Sequence, residues 1–213
     1  MRHGSRMTGH PLPSWPWAAD RRRASQRSAA AALMVALMTV ASPTDASARS
    51  TGPARSRPVD LVVIHSTGGP TCDAAGRPIW VPAGELAENL RTIEAHPRLG
   101  IHWMIDRDGS TRASVPESQV AHHVLTYSQR SIAIELINDG DGRDPFSDTQ
   151  IDALVALLKG IVRRHPAVDR TRVQRHSDLD KAHMPCEPTR RRKVDPGPAY
   201  PHAAVLERVF GPR

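Results

Sequence analysis

Short apolar runs alternate with polar segments that contain glycine and proline from about residue 58 to the end of the chain. Several of these runs are rich in β-branched residues and are short enough for buried strands. The sequence Asp106-Arg107-Asp108-Gly109 lies between two of them and predicts a tight hairpin turn. The predicted strands cover residues 60–64, 101–105, 111–115, 131–137 and 168–175.

Apolar residues at helical spacing predict three helices, over 83–96, 147–161 and 205–210. Pro97 ends the first helix, and Ser147 is a suitable N-cap for the second. Residues 68–79 contain glycine and proline and are predicted to form a loop. Helices and strands are mixed, and the hairpin interrupts strict alternation. The fold class expected is therefore α/β, with a central mixed β-sheet flanked by helices.

The first part of the chain has the layout of an export signal. Arg21-Arg22-Arg23 precedes an apolar run over 29–38, and the small-residue sequence Ala46-Ser47-Ala48 follows. The apolar run is about half of the ~20 residues that a membrane-spanning helix needs. We therefore expect an exported protein, in the periplasm or outside the cell; the alternative is a short helix in a disordered arm. The predicted division is a leader over 1–48, a linker over 49–57 and a domain over 58–213.

The net charge of +7 does not indicate a nucleic-acid-binding protein. Residues 1–48 contain six arginines and two aspartates, so the leader accounts for +4 of this charge. The remaining residues are only mildly basic, and they contain no motif for binding DNA or RNA. We expect no nucleic-acid partner, no membrane span after the leader is removed, and a monomer.

Two histidines and one aspartate are candidate ligands of a catalytic zinc. His65 follows a predicted strand, His176 follows another, and Asp195 lies in Lys193-Val194-Asp195-Pro196-Gly197. Two imidazoles and one carboxylate leave the fourth position of a tetrahedral zinc open for water, as in catalytic zinc sites. The spacing alone does not establish the site, because these residues are far apart in the sequence.

Three short sequences occur in an order typical of one family: Val-Ile-His-Ser-Thr at 63–67, Ser-Ile-Ala-Ile-Glu-Leu-Ile-Asn at 131–138, and Arg-Lys-Val-Asp-Pro-Gly-Pro at 192–198. The chain thereby resembles the type-2 N-acetylmuramoyl-L-alanine amidases, which are zinc hydrolases related in fold to the peptidoglycan recognition proteins. The resemblance implies a Zn²⁺ cofactor and a peptidoglycan or muropeptide substrate. It implies cleavage of the amide between the lactyl group of N-acetylmuramic acid and L-alanine.

Glu135 and Lys193 are the candidate catalytic residues. Glu135 lies in an otherwise apolar strand, where a carboxylate is costly unless it is paired or functional. Taken alone, a Glu in a salt bridge is an equal alternative, and Lys193 beside three arginines would be a solvated surface residue. The resemblance favours function, because the family has its catalytic Glu and a Lys at these positions. It implies a general base and an oxyanion stabiliser.

His123 is the candidate substrate-binding residue. The pair His122-His123 resembles the family sequence Ala-Trp-His-Ala-Gly, whose histidine lines the site without usually binding zinc. Here His122 replaces the tryptophan, so the groove wall is expected to differ. His102 matches a family histidine that is mainly structural.

Two questions remain open at the level of sequence. A recognition module of the same fold would bind muropeptides without cutting them, although such modules usually lack one ligand, whereas this chain has all three. Cys72 and Cys186 each follow a predicted zinc ligand, so an oxidising compartment would allow a disulfide between them. Two free, buried thiols are the alternative.

Overall fold

The computed structural model describes residues 52–213, and the predicted leader lies outside the described residues. The domain contains nine strands and four α-helices within this range. The strands are β1 (Leu61–Ser66), β2 (Gly69–Cys72), β3 (Pro78–Val81), β4 (Trp103–Ile105), β5 (Thr111–Ala113), β6 (Ser131–Leu136), β7 (Val173–Arg175), β8 (His183–Met184) and β9 (Glu187–Arg191). The helices are α1 (Leu86–Ala95), α2 (Asp148–Arg164), α3 (His176–Leu179) and α4 (His202–Phe210).

The main sheet is mixed, as predicted. Its five strands follow the order β5-β4-β6-β1-β7. The β4, β6, β1 and β7 strands are parallel to one another, and only β5 runs antiparallel, through the predicted hairpin with β4. Because β6, β1 and β7 are adjacent and parallel, their carboxyl ends meet at one edge of the sheet, where α/β proteins commonly bind ligands.

Helices cover both faces of this sheet. One face packs against α2 and α4 through a buried cluster that includes Ile64, Ile134 and Leu158. The opposite face packs against α1, with Met104 and Ile137 in the buried layer. Ser147 caps α2 as predicted, since its side chain accepts a hydrogen bond from the backbone of Gln150.

The two faces of β1 and β6 differ in one respect that matters for function. Successive side chains of a strand point to opposite faces. Ile64 and Ile134 belong to the cluster under α2, whereas His65 and Glu135, one residue further along each strand, point the other way. Since His65 and Glu135 are paired in the parallel register, they are neighbours on the α1 side, at the carboxyl edge of the sheet.

Two small hairpins lie outside the main sheet, and the first of them was not predicted from the sequence. Residues 68–79 were predicted to form a loop, but 69–81 form the antiparallel hairpin of β2 and β3. Glycine and proline at its ends conceal the strand pattern from the sequence. A second hairpin, β8–β9, follows α3, and a Cys72–Cys186 disulfide with a Cα–Cα distance of 6.0 Å joins the two hairpins. The proposed disulfide is therefore present, and the described residues contain no free cysteine.

The segment before β1 also contacts the domain. Arg55 donates hydrogen bonds to the backbone carbonyls of Glu117, at 2.6 Å, of Ser128, at 3.2 Å, and of Ser131, at 2.8 Å. The guanidinium thus ties the loop before β6 to the strand itself. None of the helices in residues 52–213 is both long and apolar enough to cross a membrane.

Candidate active site

The three predicted zinc ligands converge on one point. His65 is near the end of β1, His176 directly follows β7, and Asp195 lies in the loop before α4. The Nδ1 atom of His65 is 3.1 Å from Oδ2 of Asp195, and Nδ1 of His176 is 3.0 Å from the same oxygen. All three residues are buried, and their candidate ligand atoms lie within 4.8 Å of one another.

This geometry fits a tetrahedral zinc. Ligand atoms bound at about 2.0–2.1 Å to a tetrahedral ion are about 3.3 Å apart. The separations of 3.0 and 3.1 Å to the aspartate oxygen are close to that value. The donors are also of the right type, since zinc binds imidazole nitrogen and carboxylate oxygen. His65, His176 and Asp195 are thus suited to hold one zinc ion and to leave a fourth position open.

Close backbone packing places Asp195. Its carbonyl accepts a hydrogen bond of 3.0 Å from the backbone N–H of Ser177, the residue after His176. Gly197 has a φ of +91°, and a Cβ at this position would lie 2.3 Å from the carbonyl oxygen of Gly140. Only glycine permits this approach of two loops. The Asp-Pro-Gly sequence therefore holds the carboxylate against the strand-borne histidines.

The electrostatics favour the metal-binding protonation states. Burial lowers the pKa of His65 to about 4, although the contact with Asp195 acts in the opposite direction. The imidazole is thus neutral at neutral pH, as a metal ligand must be. Burial by itself would raise the pKa of Asp195, but the contacts with His176 and His65 outweigh it, so the pKa lies well below its usual value. The aspartate is ionised.

Glu135 lies beside these ligands, in register with His65 on the adjacent strand. Its carboxylate forms no hydrogen bond or ion pair with another described residue, and it faces the cavity next to the ligands. Burial, reinforced by the charge of Asp195, raises its pKa to about 8, while Lys193 acts to lower it. A carboxyl group with a pKa near neutrality is suited to proton transfer.

Lys193 lies two residues before Asp195 and lines the same cavity. It is partly buried, and it forms no hydrogen bond or ion pair with the other residues of the described range. Lys193 and Asp195 line the cavity together although they lie in an irregular loop rather than in a strand. A lysine here can place a positive charge where a reacting carbonyl oxygen becomes negative.

The cavity around these groups has a volume of about 230 Å³. One of its walls could not be predicted from the sequence. Asn89 and Ile93 of α1 form one wall, and residues 99–101 continue it. Sequence patterns identify α1 as an amphipathic helix but do not show which strand edge it covers.

The other predicted histidines have different environments. His123 lines the cavity, but Nδ1 of its ring is 2.9 Å from Nε2 of His65, and its Nε2 is 3.0 Å from Oγ of Ser131. The neighbouring His122 also lines the cavity and is exposed. His102 is fully buried and accepts a hydrogen bond from the backbone of Ala133, which agrees with the structural role expected. Nothing in the sequence indicated the partnership between His123 and Ser131.

Known proteins that resemble this chain identify its family. The family model for N-acetylmuramoyl-L-alanine amidase matches residues 55–198. That range includes the sheet, the cavity and every candidate site residue. The chain belongs to the type-2 N-acetylmuramoyl-L-alanine amidase family. This assignment makes it an enzyme of the amidase class, as the sequence resemblance implies.

A curated relative of the amidase is the 1,6-anhydro-N-acetylmuramyl-L-alanine amidase AmpD from Enterobacter cloacae. It is 31% identical over 156 residues, which cover 66% of this chain and 75% of AmpD. Structural similarity extends to a solved complex of the E. coli amidase AmiD with anhydro-N-acetylmuramic acid-L-Ala-D-gamma-Glu-L-Lys. The TM-score is 0.56 at 23% identity, over 78% of this chain and 61% of AmiD.

The amidase also has the fold of a recognition protein. Peptidoglycan recognition protein SD from Drosophila superimposes with a TM-score of 0.52 at 17% identity, over 75% of this chain and 86% of that protein. At these identities the two solved structures support the fold alone. They confirm the predicted mixed sheet with flanking helices.

Proposed function

We propose that this amidase uses zinc to hydrolyse the amide between N-acetylmuramic acid and L-alanine in peptidoglycan or its fragments. One observation carries the proposal: two imidazole nitrogens and one carboxylate oxygen meet beside a cavity that Glu135 and Lys193 also line. The AmpD relatives, which are named for cleaving 1,6-anhydro-N-acetylmuramyl-L-alanine, support this choice of bond.

His65, His176 and Asp195 would hold the metal. A bound zinc would supply a Lewis acid and lower the pKa of a water molecule. Glu135 would accept a proton from the attacking water and then donate it to the leaving nitrogen of L-alanine. Its position on a buried strand fixes the carboxylate, and its lack of other partners leaves it available for both transfers.

Lys193 would act on the carbonyl oxygen. As water adds to the amide carbon, negative charge develops on this oxygen, and a preorganised ammonium group stabilises it without reorganisation. Glu135 lies at a strand end, and Lys193 lies in the loop that carries Asp195. The two groups therefore approach the cavity from different elements, with the metal ligands nearby.

The decisive test uses a purified 1,6-anhydro-muropeptide and the protein without residues 1–48. We expect release of a peptide with a free N-terminal L-alanine, loss of that product after chelation, and recovery with zinc. His176→Ala should abolish turnover and lose most of the metal in elemental analysis. Turnover that persists after complete removal of metal would contradict zinc dependence.

The recognition-module alternative predicts a different result in the same experiment. A non-catalytic module would bind the muropeptide, as measured by calorimetry, and release no peptide with or without zinc. The intact set of ligands with Glu135 and Lys193 favours the enzyme. Intact sacculi, offered in parallel, would separate activity on the wall from activity on freed fragments.

We also propose that the protein acts outside the cytoplasm. The order of basic, apolar and small residues before residue 49 motivates this proposal. N-terminal sequencing of the protein from the periplasm or medium should give a start close to residue 49. Recovery of the uncleaved chain from the cytoplasm alone would contradict it.

A further inference from the structure

The imidazole of His65 is held at both of its nitrogens. Its Nδ1 faces Asp195 and His176, and its Nε2 is 2.9 Å from Nδ1 of His123. The second nitrogen of His123 is 3.0 Å from Oγ of Ser131, and that hydroxyl is 2.9 Å from the backbone carbonyl of Tyr127. Three consecutive contacts thus lead from the candidate metal position into the protein.

The last group in this series fixes the direction of every hydrogen bond. The carbonyl of Tyr127 can only accept, so the single hydroxyl proton of Ser131 is donated to it. Ser131 then accepts from Nε2–H of His123, and in a neutral imidazole a proton on Nε2 leaves Nδ1 without one. This Nδ1 therefore accepts from Nε2–H of His65. A neutral His65 with its proton on Nε2 has a free lone pair on Nδ1, which is the nitrogen that faces Asp195 and His176.

The surroundings keep this series in place. Ser131 is completely buried, and it begins β6, next to β1. The backbone N–H of His123 donates to Oγ of Ser128 at 3.2 Å. Arg55 binds the carbonyls of both Ser128 and Ser131. The segment from 123 to 131 is therefore held by Arg55 and by a hydrogen bond of its own, and none of these contacts involves a ligand in the cavity.

We propose that His123 is a positioning residue for the metal centre. It selects the tautomer of His65 that can bind zinc and fixes the orientation of that ring, and Ser131 sets the tautomer of His123. The inference rests on the proposed zinc function and deepens it. Both ring nitrogens of His123 are used within the protein, so only carbon atoms of the ring are left to contact a substrate in the cavity.

The test measures zinc affinity rather than turnover. Zinc is titrated into the metal-free protein against a chromogenic chelator. His123→Ala is expected to weaken zinc binding about 10–100-fold, the usual effect of removing the partner of a metal-bound histidine. His123→Asn retains an acceptor oxygen near the place of Nδ1 and should recover most of the affinity. Ser131→Ala should produce a smaller loss, because it removes only the outer hydrogen bond.

His122→Ala is the matched control, since this adjacent histidine lines the cavity but its side chain forms no hydrogen bond or ion pair with the three described ligands. Its zinc affinity should equal that of the parent. The absorption spectrum of the Co²⁺-substituted protein gives a second readout, which should change in His123→Ala and not in His122→Ala. A positioning role would also leave the melting temperature of the metal-free His123→Asn protein near that of the parent.

If the zinc affinity of His123→Ala is within twofold of the zinc affinity of the parent, the inference is overturned while the zinc proposal stays intact. The same holds if His123→Asn is as weak as His123→Ala, because acceptor geometry would then not matter. If His123→Ala does not fold, His123→Asn and Ser131→Ala still decide the question. A parent that binds zinc no better than His176→Ala would instead refute the proposed function itself.

Discussion

The site consists of a strand side and a loop side, which are held in different ways. On the strand side, His65, Glu135 and His176 lie at or directly after the ends of β1, β6 and β7. Backbone hydrogen bonds between adjacent strands, together with the buried layers on both faces of the sheet, fix these positions. On the loop side, Lys193 and Asp195 lie between β9 and α4, outside the main sheet.

The loop side depends on specific local contacts instead of a hydrophobic core. The disulfide joins its preceding hairpin to the β2–β3 hairpin, and the close approach of Gly197 to Gly140 holds it against the strand side. A core spreads its stabilisation over many side chains, whereas a single crosslink or glycine contact can be removed by one substitution. The loop side should therefore be the part of the site that single changes disturb most selectively.

Removal of the crosslink should have the largest effect on stability. The bridge joins residues 114 apart, and loss of a native disulfide in a small domain costs about 2–5 kcal/mol. We expect the Cys72→Ser, Cys186→Ser double variant to lose this amount in urea unfolding. It should still bind zinc, because both imidazoles belong to the strand side.

The parent treated with reductant is the control, and it should approach the stability of the double variant. The double variant should not respond to reductant. A stability change below about 0.5 kcal/mol, the range of ordinary surface substitutions, would show that the loop side does not need the bridge.

Lys193→Ala tests the chemistry of the loop side. We expect the rate to fall about 10²–10³-fold, the usual effect of losing an oxyanion stabiliser. Zinc content should not change, because Lys193 is not a ligand. The decrease should appear in kcat more than in KM, since the charge that Lys193 stabilises develops during reaction. Lys159→Ala, on α2, is the control. A normal kcat in Lys193→Ala would remove this residue from the mechanism.

Glu135→Gln tests the chemistry of the strand side and has a consequence for stability. Activity should fall about 10²-fold or more, as for loss of a general base, with zinc retained. In the metal-free protein the folded pKa of Glu135 is raised to about 8 from an ordinary 4.5. Between these values the folded state keeps a proton that the unfolded state releases, so the stability of the parent declines as pH rises through this window.

The uncharged amide of the Glu135→Gln variant does not undergo this decline. The two metal-free proteins should therefore have similar stability near pH 4, and the variant should be the more stable one above pH 8. Urea unfolding at both pH values measures the difference. Equal pH dependence in the two proteins would show that Glu135 ionises normally in the folded state.

The strand side could be predicted from the sequence, and much of the loop side could not. Apolar runs located β1 and β6, and period-two alternation explains why His65 and Glu135 face one way. The β2–β3 hairpin was missed because its glycine, proline and exposed apolar residues do not form a strand pattern. The pairing of His123 with Ser131 depends on tertiary placement, which periodicity does not encode. The meeting of the ligands was expected from family resemblance rather than from spacing.

The smallest expected effect concerns the contact between Gly197 and Gly140. Both Gly197, with φ +91°, and Gly76, with φ +73° in the β2–β3 turn, have backbones that disfavour other residues. A Cβ at Gly76 would meet nothing within 4 Å, whereas a Cβ at Gly197 would lie 2.3 Å from the Gly140 oxygen. Backbone strain therefore affects both alanine variants, and only Gly197→Ala also forces two loops apart.

We expect Gly197→Ala to be about 1–3 kcal/mol less stable than Gly76→Ala, the usual cost of overpacking. Since Gly197 is two residues from Asp195, displacement of this loop should also weaken zinc binding, which Gly76→Ala should leave unchanged. Urea unfolding and the chelator titration measure the two effects on the same samples. If both variants had equal stability and parental zinc affinity, the loop side would owe its position to the disulfide and the Ser177–Asp195 hydrogen bond, without a contribution from the glycine contact.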